Sequence, residues 1–269
     1  MSSPFARLRG LTDGEAALTP ETWRASQPCW DIRLGSRTLV LSQPTSSVLV
    51  YLLGFLTLAM GLRSVLEAPG EGPLLWWGVG LIFWGLGALI AGTSYQAFGF
   101  HIKCSGRSVC SWTSWWEVVY LAVQYWSLAA LLIGVVAHRN PQWQWLAIAY
   151  GALSSLVYTI SVVAGGLRPV RSWITFERLL LVSAPLLVVM IFINAYGWFV
   201  EGDGVDGLQL GAWCGLLLSI VCFFVWERAH LGNRLWRAGQ GIWFSENDIL
   251  HVVLLAWVAY LELWVLPAL

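Results

Sequence analysis

The sequence is poor in charged residues, which make up 11% of its 269 positions, and it contains a single lysine, Lys103. Since an ordinary soluble domain carries about 25% charged residues, a soluble fold of this composition could not cover its surface with polar groups. The formal net charge is zero, which gives no electrostatic support for a nucleic-acid partner. Hydrophobic residues make up 58% of the chain, far too many for intrinsic disorder. The composition predicts a polytopic membrane protein.

Seven apolar segments are each long enough to cross a bilayer, which takes about 20 helical residues. They lie at about 46–66, 73–98, 114–137, 142–165, 173–198, 208–228 and 247–267. Because backbone groups in lipid must be hydrogen-bonded internally, these segments are predicted to be helices. The expected fold is an all-α, seven-transmembrane-helix bundle (residues 45–269) that follows an N-terminal cytoplasmic segment (residues 1–44).

The N-terminal segment is the only stretch with the composition of a soluble protein, and no signal peptide is expected because the first long apolar run starts after residue 45. Thr19-Pro20-Glu21-Thr22 predicts the start of a short helix, with Thr19 as its cap. The stretch Thr38-Leu39-Val40-Leu41 predicts a short extended piece. Neither is expected to form an independent domain.

Basic residues near the span ends are distributed very unequally. If the N-terminus is cytoplasmic, the inner flanks hold Arg33, Arg37, Lys103, Arg107, Arg168, Arg171, Arg228, Arg234 and Arg237, and the outer flanks hold only Arg63 and Arg139. The positive-inside rule therefore predicts an N-terminus inside and a C-terminus outside. Tryptophans near span ends are expected at the membrane interface, namely Trp76, Trp77, Trp115, Trp116, Trp143, Trp145, Trp173 and Trp198.

The five cysteines form no CxxC pair. A disulfide between Cys104 and Cys110 is conceivable, but the expected topology puts both residues on the cytoplasmic side, where thiols stay reduced. The preferred interpretation is that the cysteines are structural or inert thiols.

Ionisable residues at membrane depth are costly, and they are functional candidates by default. In the expected orientation His101, Glu117, Asp248 and His251 all lie at the cytoplasmic end of the spans. Helical spacing puts Asn247 or Asp248 on one face with His251. A structural interpretation stays open for each residue taken singly, since charged residues in the first or last turn of a span often only anchor the helix at the headgroups. His138 and His230 are interpreted as solvated loop residues.

Two polar stripes predict a polar interior that opens at the cytoplasmic face. They consist of Glu117, Tyr120, Gln124 and Ser127 in the third segment, and of His251, Leu255, Val258 and Glu262 in the seventh. Glu262 is expected to point into the bundle, because an isolated carboxylate facing hydrocarbon costs roughly 2.5–3.5 kcal/mol even on a lenient scale.

This arrangement resembles the CREST superfamily, the seven-helix proteins that include alkaline ceramidases and progestin/adipoQ-type receptors. The residues that carry the resemblance are Ser94 and His101 near the end of the second segment, Glu117 at the start of the third, and Asn247-Asp248-Ile249-Leu250-His251 at the start of the seventh. Proteins of that superfamily look like intramembrane zinc amidohydrolases.

The resemblance implies a metal-dependent hydrolase of lipid amides or esters. His101, His251 and Asp248 would hold zinc, Glu117 would orient or deprotonate the metal-bound water, and Ser94 would donate a hydrogen bond to the oxyanion. The two imidazoles should then lie within roughly 4 Å of each other.

A second hypothesis is a non-catalytic structural or assembly subunit of a larger membrane complex, favoured by Asn247, which stands where the superfamily has a zinc-binding histidine. A small-molecule receptor or transporter is a third class, for which the sequence offers no specific support. The expected partners are the lipid bilayer, a lipid substrate or other membrane proteins.

Overall fold

The computed structural model describes residues 7, 10–11, 14, 17–168, 170–236 and 241–269. Seven helices in these ranges are long and apolar enough to cross a membrane, and they are called spans 1 to 7 in chain order. They are Pro44–Glu67, Pro73–Ala97, Trp115–Arg139, Pro141–Leu167, Arg171–Glu201, Gly204–Arg228 and Glu246–Ala268. The expected all-α bundle of seven membrane-spanning helices is confirmed, with bounds close to those read from the apolar runs.

Polar residues cap several spans where the chain enters the bundle. The Ser114 hydroxyl accepts a hydrogen bond from the Glu117 amide at the start of span 3. Asp203 accepts from two amides of span 6, and Ser245 caps span 7 in a capping box with Asp248. Such caps satisfy amides that have no partner within the helix. These polar residues at the span ends therefore have a structural role as helix caps.

The centre of the bundle is span 3, whose most apolar part is 72% buried, against 17% for span 4. Spans 1 and 2 pack backbone to backbone, because a Cβ atom on Gly61 would lie 2.7 Å from the carbonyl oxygen of Gly78. At Gly85 a Cβ would lie 2.7 Å from the carbonyl oxygen of Gly54. These glycines let spans 1 and 2 approach closely, as small residues do between membrane helices.

The tryptophans serve two purposes. Trp116, Trp143 and Trp198 are between 44% and 54% exposed, in line with an interfacial position. Trp77 was expected at the interface but is fully buried, and its ring stacks on Trp213 of span 6 at a centroid distance of 5.3 Å. The predicted interfacial position of Trp77 is wrong, because proximity to a span end does not reveal which side of the helix faces a neighbouring helix.

A helix and a β-hairpin precede span 1. The helix Pro20–Ala25 is capped by Thr19, as expected. Strands β1 (Cys29–Leu34) and β2 (Arg37–Ser42) pair antiparallel, so that Cys29 lies opposite Ser42. The extended stretch 38–41 is confirmed as part of β2, whereas its partner β1 was not anticipated. We call the end of the bundle that carries this hairpin the hairpin end, and the other the opposite end.

Part of the N-terminal segment is docked on the bundle itself. The Arg7 Nε atom donates a hydrogen bond to the carbonyl of Gly166 at 3.0 Å, and the Trp115 indole donates to the carbonyl of Arg7 at 2.9 Å. Leu11 is buried. These contacts tie the segment to spans 3 and 4 of its own chain. Arg237, one of the residues used for the orientation, lies outside the described residues.

Cys104 and Cys110 form a disulfide, so the expectation of free thiols is wrong for this pair. The loop closes on itself, since the Ser111 amide donates to the Lys103 carbonyl at 2.8 Å and Gly106 adopts a positive φ of 71°. The sequence argument considered only the compartment and missed this local geometry. Cys29 is free, and burial raises the pKa of its thiol, which fits an inert cysteine.

Candidate functional site

Ser94 and Glu117, the two residues proposed as catalytic, touch each other at the hairpin end. The Ser94 hydroxyl donates to Glu117 Oε1 at 2.9 Å and lies 2.7 Å from the Ser114 hydroxyl. Thr113 donates to Glu117 Oε2 at 2.9 Å. Ser94 lies in the π-helical turn Gly92–Ala97 at the end of span 2, and Glu117 in the first turn of span 3. The structure thus brings these two residues of spans 2 and 3 into contact.

Lys103 completes this cluster, and the sequence analysis assigned it no role there. Its ammonium group forms an ion pair with Glu117 Oε1 and lies 4.8 Å from the ring centroid of Tyr95. Both oxygens of Glu117 therefore have partners, and its charge is compensated within the protein. This arrangement is typical of a buried structural ion pair. The available sequence signal for this role was that Lys103 is the single lysine of the chain.

His101 is directed at the hairpin. It belongs to the short helix Gly99–Lys103, and its Nε2 atom accepts a hydrogen bond from the amide of Val40 in β2 at 2.8 Å. Because the lone pair of Nε2 accepts this hydrogen bond, Nε2 cannot bind a metal at the same time. The histidine fastens the hairpin to the end of span 2.

Asp248 links span 7 to span 1. Its Oδ1 accepts from the Ser46 hydroxyl at 2.8 Å, and its Oδ2 accepts from the amide and hydroxyl of Ser245 at 2.6 and 2.9 Å. The residue is fully buried. Both carboxylate oxygens are occupied by the helix cap and the inter-span contact.

The proposed zinc ligands do not assemble in the structure. Within the described residues, the one group of three or more His, Cys, Asp or Glu side chains whose ligand atoms all lie within 4.8 Å of one another is His138, Asp203 and Asp206. His101, Asp248 and His251 form no such group. The physical reason is that span 2 ends at Ala97, and the non-helical backbone of Phe98 (φ −113°, ψ 16°) directs the following short helix toward the hairpin.

His251 faces a cavity of about 300 Å³ inside the bundle. Six spans contribute to its wall, for example through Val50, Trp84, Gln124, Leu179, Leu216 and His251. Most of the lining is aliphatic or aromatic, so the expectation of a polar interior is wrong. The Ser183 and Ser219 hydroxyls donate to carbonyls of their own helices, whereas His251 Nδ1 has no hydrogen-bond partner among the described residues.

Glu262 does not extend a polar stripe below His251. It forms a two-pronged ion pair with Arg63 of span 1, with N–O distances of 2.5 and 2.9 Å, and its side chain is 31% exposed. The π-helical turn Leu261–Val265 changes the helical register just after Tyr260. The charge of the Glu262 carboxylate is compensated, as the cost of placing it in hydrocarbon requires. The compensating group is Arg63, near the opposite end of the bundle.

His138 is not a solvated loop residue. It lies in the last turn of span 3, with its side chain 19% exposed, and its Nε2 is 3.4 Å from Asp203 Oδ2. Burial opposes ionisation of Asp203, but the amides of Val205 and Asp206, with His138 and Arg139, outweigh it and lower the pKa of this carboxyl. The sequence signal for this cluster was that the acidic stretch 201–206 and Arg139 lie at the same end of the predicted bundle.

Comparison with protein-family models, with curated proteins and with solved structures finds no match to this chain. The resemblance to the CREST superfamily therefore depends only on the residues quoted for it, and it stays a prediction.

Proposed function

We propose that this integral membrane protein binds an amphiphilic lipid-like molecule in the cavity beside His251. The observation that carries the proposal is a cavity of about 300 Å³ with an apolar wall and few free polar groups. Small-molecule sites are typically concave, mostly apolar cavities of about 300–1,000 Å³ with a small number of polar groups that fix orientation. A position within the bundle makes the bilayer the natural source of the ligand.

The chemistry of the ligand follows from the surroundings of the cavity. Lipid tails are as apolar as the cavity wall, so moving a hydrocarbon chain from bilayer to protein brings no hydrophobic gain. Selectivity must come from packing and from hydrogen bonds to the polar groups, His251 and Gln124. A ligand with a hydrocarbon portion and one hydroxyl, amide or carboxyl group fits these requirements.

The test is photo-crosslinking of the purified protein with a diazirine-labelled fatty acid, followed by mass spectrometry of the labelled peptides. We expect labels on the wall of the cavity. Ala88→Trp, which fills the cavity from span 2, should reduce this labelling at least about tenfold, the equivalent of 1.4 kcal/mol. His251→Phe keeps the bulk of the side chain and removes its hydrogen bonds, so it should weaken binding with little change in stability.

Leu86→Trp is the matched control, because Leu86 lies on the same span but is 37% exposed and does not line the cavity. It should leave the labelling of the cavity unchanged. Equal labelling of the Ala88→Trp and Leu86→Trp variants, or labels confined to the outer surface of the bundle, would contradict the proposal.

A CREST-like, metal-dependent lipid hydrolase is a second candidate function. The contact between Ser94 and Glu117 favours it, while the engagement of His101 by Val40 and of Glu117 by Lys103 speaks against it. Incubation of the protein with lipid amides and esters tests this candidate. Product formation that is lost in Glu117→Gln but retained in the lipid-facing Leu86→Trp variant would support it. In the absence of such product, the non-catalytic alternative stands.

We further propose that the hairpin end faces the cytoplasm, as the unequal basic flanks predict. Disulfides are typical of oxidising compartments, but thiol–disulfide exchange requires access to the sulfur atoms, and Cys104 and Cys110 are fully buried. In a background without free cysteines, Arg33→Cys should react with a membrane-impermeant maleimide only in permeabilised cells. Glu67→Cys, at the opposite end, should react in intact cells. The reverse result would invert the topology.

A further inference from the structure

A compact polar cluster lies at the opposite end of the bundle, away from the cavity and from Glu117. His138 comes from the last turn of span 3, Asp203 caps span 6, and Asp206 lies in the first turn of span 6. One ligand atom from each of the three lies within 4.8 Å of the other two. Three chelating side chains, one at the end of span 3 and two at the start of span 6, thus converge at one point.

The cluster carries an excess of negative charge. Arg139 forms ion pairs with Glu201, with Asp203 at 3.8 Å and with Asp206 at 3.4 Å. Three carboxylates therefore share one guanidinium group, which leaves two negative charges when His138 is neutral. Because Asp206 is fully buried, solvent cannot screen its share of this charge. A divalent cation would balance the cluster.

Two buried atoms in the cluster have no hydrogen-bond partner among the described residues, and both are potential metal ligands. They are Asp206 Oδ2, which has only the ionic contact with Arg139 Nε, and His138 Nε2. Buried polar atoms without hydrogen bonds are rare in native structures and call for a ligand or an ion. Asp206 Oδ1 and Asp203 Oδ1, by contrast, accept hydrogen bonds from Asn194 and from the Val205 amide. These hydrogen bonds orient the carboxylates, and the second oxygen of each has only ionic contacts, with Arg139 and, for Asp203, with His138.

The distance between two of the ligand atoms matches a tetrahedral metal centre. Metal–ligand bonds of about 2.0–2.1 Å imply separations of about 3.3–3.4 Å between neighbouring ligand atoms. His138 Nε2 and Asp203 Oδ2 lie 3.4 Å apart. Outer hydrogen bonds hold the set in place, since Asn194 donates to Asp206 and Gln209 and accepts from the Trp213 indole at 2.6 Å. Such outer partners are a regular feature of metal sites.

We propose that His138, Asp203 and Asp206 bind a divalent transition-metal ion, with Zn²⁺ as the cation that suits this set best. One imidazole with two carboxylates is a ligand combination found for zinc, whereas magnesium and calcium prefer oxygen ligands alone. Three protein ligands leave a fourth position for water or another ligand. The site ties the end of span 3 to the start of span 6.

The experiment measures Zn²⁺ binding to the full chain purified in detergent and stripped with a chelator. We expect one Zn²⁺ per chain and a rise in the thermal unfolding midpoint of about 5–10 °C at a hundredfold excess over Kd. His138→Ala and Asp203→Asn should each lower Zn²⁺ affinity at least about tenfold and remove most of the shift. The Asp203→Asn variant keeps the shape of the helix cap, so it remains informative if His138→Ala folds poorly.

His230→Ala is the matched control, because His230 is exposed and lies outside the cluster. It should bind Zn²⁺ like the unchanged protein. Mg²⁺, used in place of Zn²⁺, should give no comparable shift. Absence of stoichiometric Zn²⁺, or equal binding by His138→Ala and His230→Ala, would overturn the proposal and leave the cluster as an internal ion-pair network.

Discussion

Replacing Lys103 with methionine should destabilise the protein by about 3–5 kcal/mol, the usual cost of removing one partner from a buried ion pair. The side chains of Lys103 and Glu117 are only 12% and 4% exposed, so water cannot easily replace the lost ammonium group. Methionine matches the lysine side chain as far as Cε and keeps its apolar contacts. The loss should therefore arise from the uncompensated carboxylate and not from a packing defect.

The double variant Lys103→Met/Glu117→Gln should be more stable than Lys103→Met alone, although it carries one more substitution. Glutamine is neutral and nearly isosteric with glutamate, and its carbonyl oxygen can still accept a hydrogen bond from Ser94 or Thr113. Removing both charges also removes the desolvation cost that a buried ion pair carries. We expect a coupling energy of about 2–3 kcal/mol in the double-mutant cycle.

The free energy of unfolding can be followed by circular dichroism during titration of the purified protein from mild detergent into SDS. Arg24→Met is the control, since Arg24 and Asp31 form an ion pair whose side chains are 39% and 48% exposed. Such exposed pairs contribute less than about 1 kcal/mol. If Lys103→Met costs no more than Arg24→Met, or if the double variant is the least stable of the set, the structural role assigned to the Glu117 cluster is wrong.

Three further outcomes are expected in the same unfolding assay or by thiol labelling. Gly61→Ala should lower the free energy of unfolding by about 1–3 kcal/mol, because it overpacks a backbone contact between spans 1 and 2. Gly72→Ala, with open space around the residue, should be nearly neutral. Equal effects of the two variants would refute the close packing. His101→Phe should cost about 1–3 kcal/mol through the stranded amide of β2, and a neutral result would remove its anchoring role. Cys104 and Cys110 should react with maleimide only after denaturation and reduction, and joint replacement by alanine should cost about 2 kcal/mol. Labelling of either residue in the unfolded, unreduced chain would show that the disulfide is absent.

The bundle was predictable from sequence because its determinants are local. A run of about 20 apolar residues must form a helix in hydrocarbon whatever its neighbours are, and a Pro at the first helical position or a polar cap marks its start. The same holds for Thr19 at the start of the first short helix, where cap and helix are a few residues apart.

The three residues predicted to bind zinc form no cluster, because that prediction required helical geometry to continue past the end of span 2. Ser94 and His101 share a helix face only if the helix is regular, and the π-helical turn Gly92–Ala97 followed by Phe98 breaks that regularity. Ser94 lies within the turn and still reaches Glu117, whereas His101 lies beyond it and reaches Val40. Register changes of this kind depend on tertiary packing and leave no periodic pattern in the sequence.

Because an ionisable group in a membrane has a high free-energy cost, every such residue was a functional candidate. The hydrogen bonds of these residues now distinguish structural residues from candidate ligand-binding residues. His101, Glu117 and Asp248 are engaged by the hairpin, by Lys103 and its hydroxyl neighbours, and by the cap of span 7. A ligand would have to displace these contacts at the expense of the fold. By contrast, one ring nitrogen of His251, beside a cavity, and one of His138, beside two carboxylates, have no hydrogen bond among the described residues. Ligand binding at these two histidines can satisfy atoms that have no hydrogen bond within the described part of the chain, so binding and stability act in the same direction there.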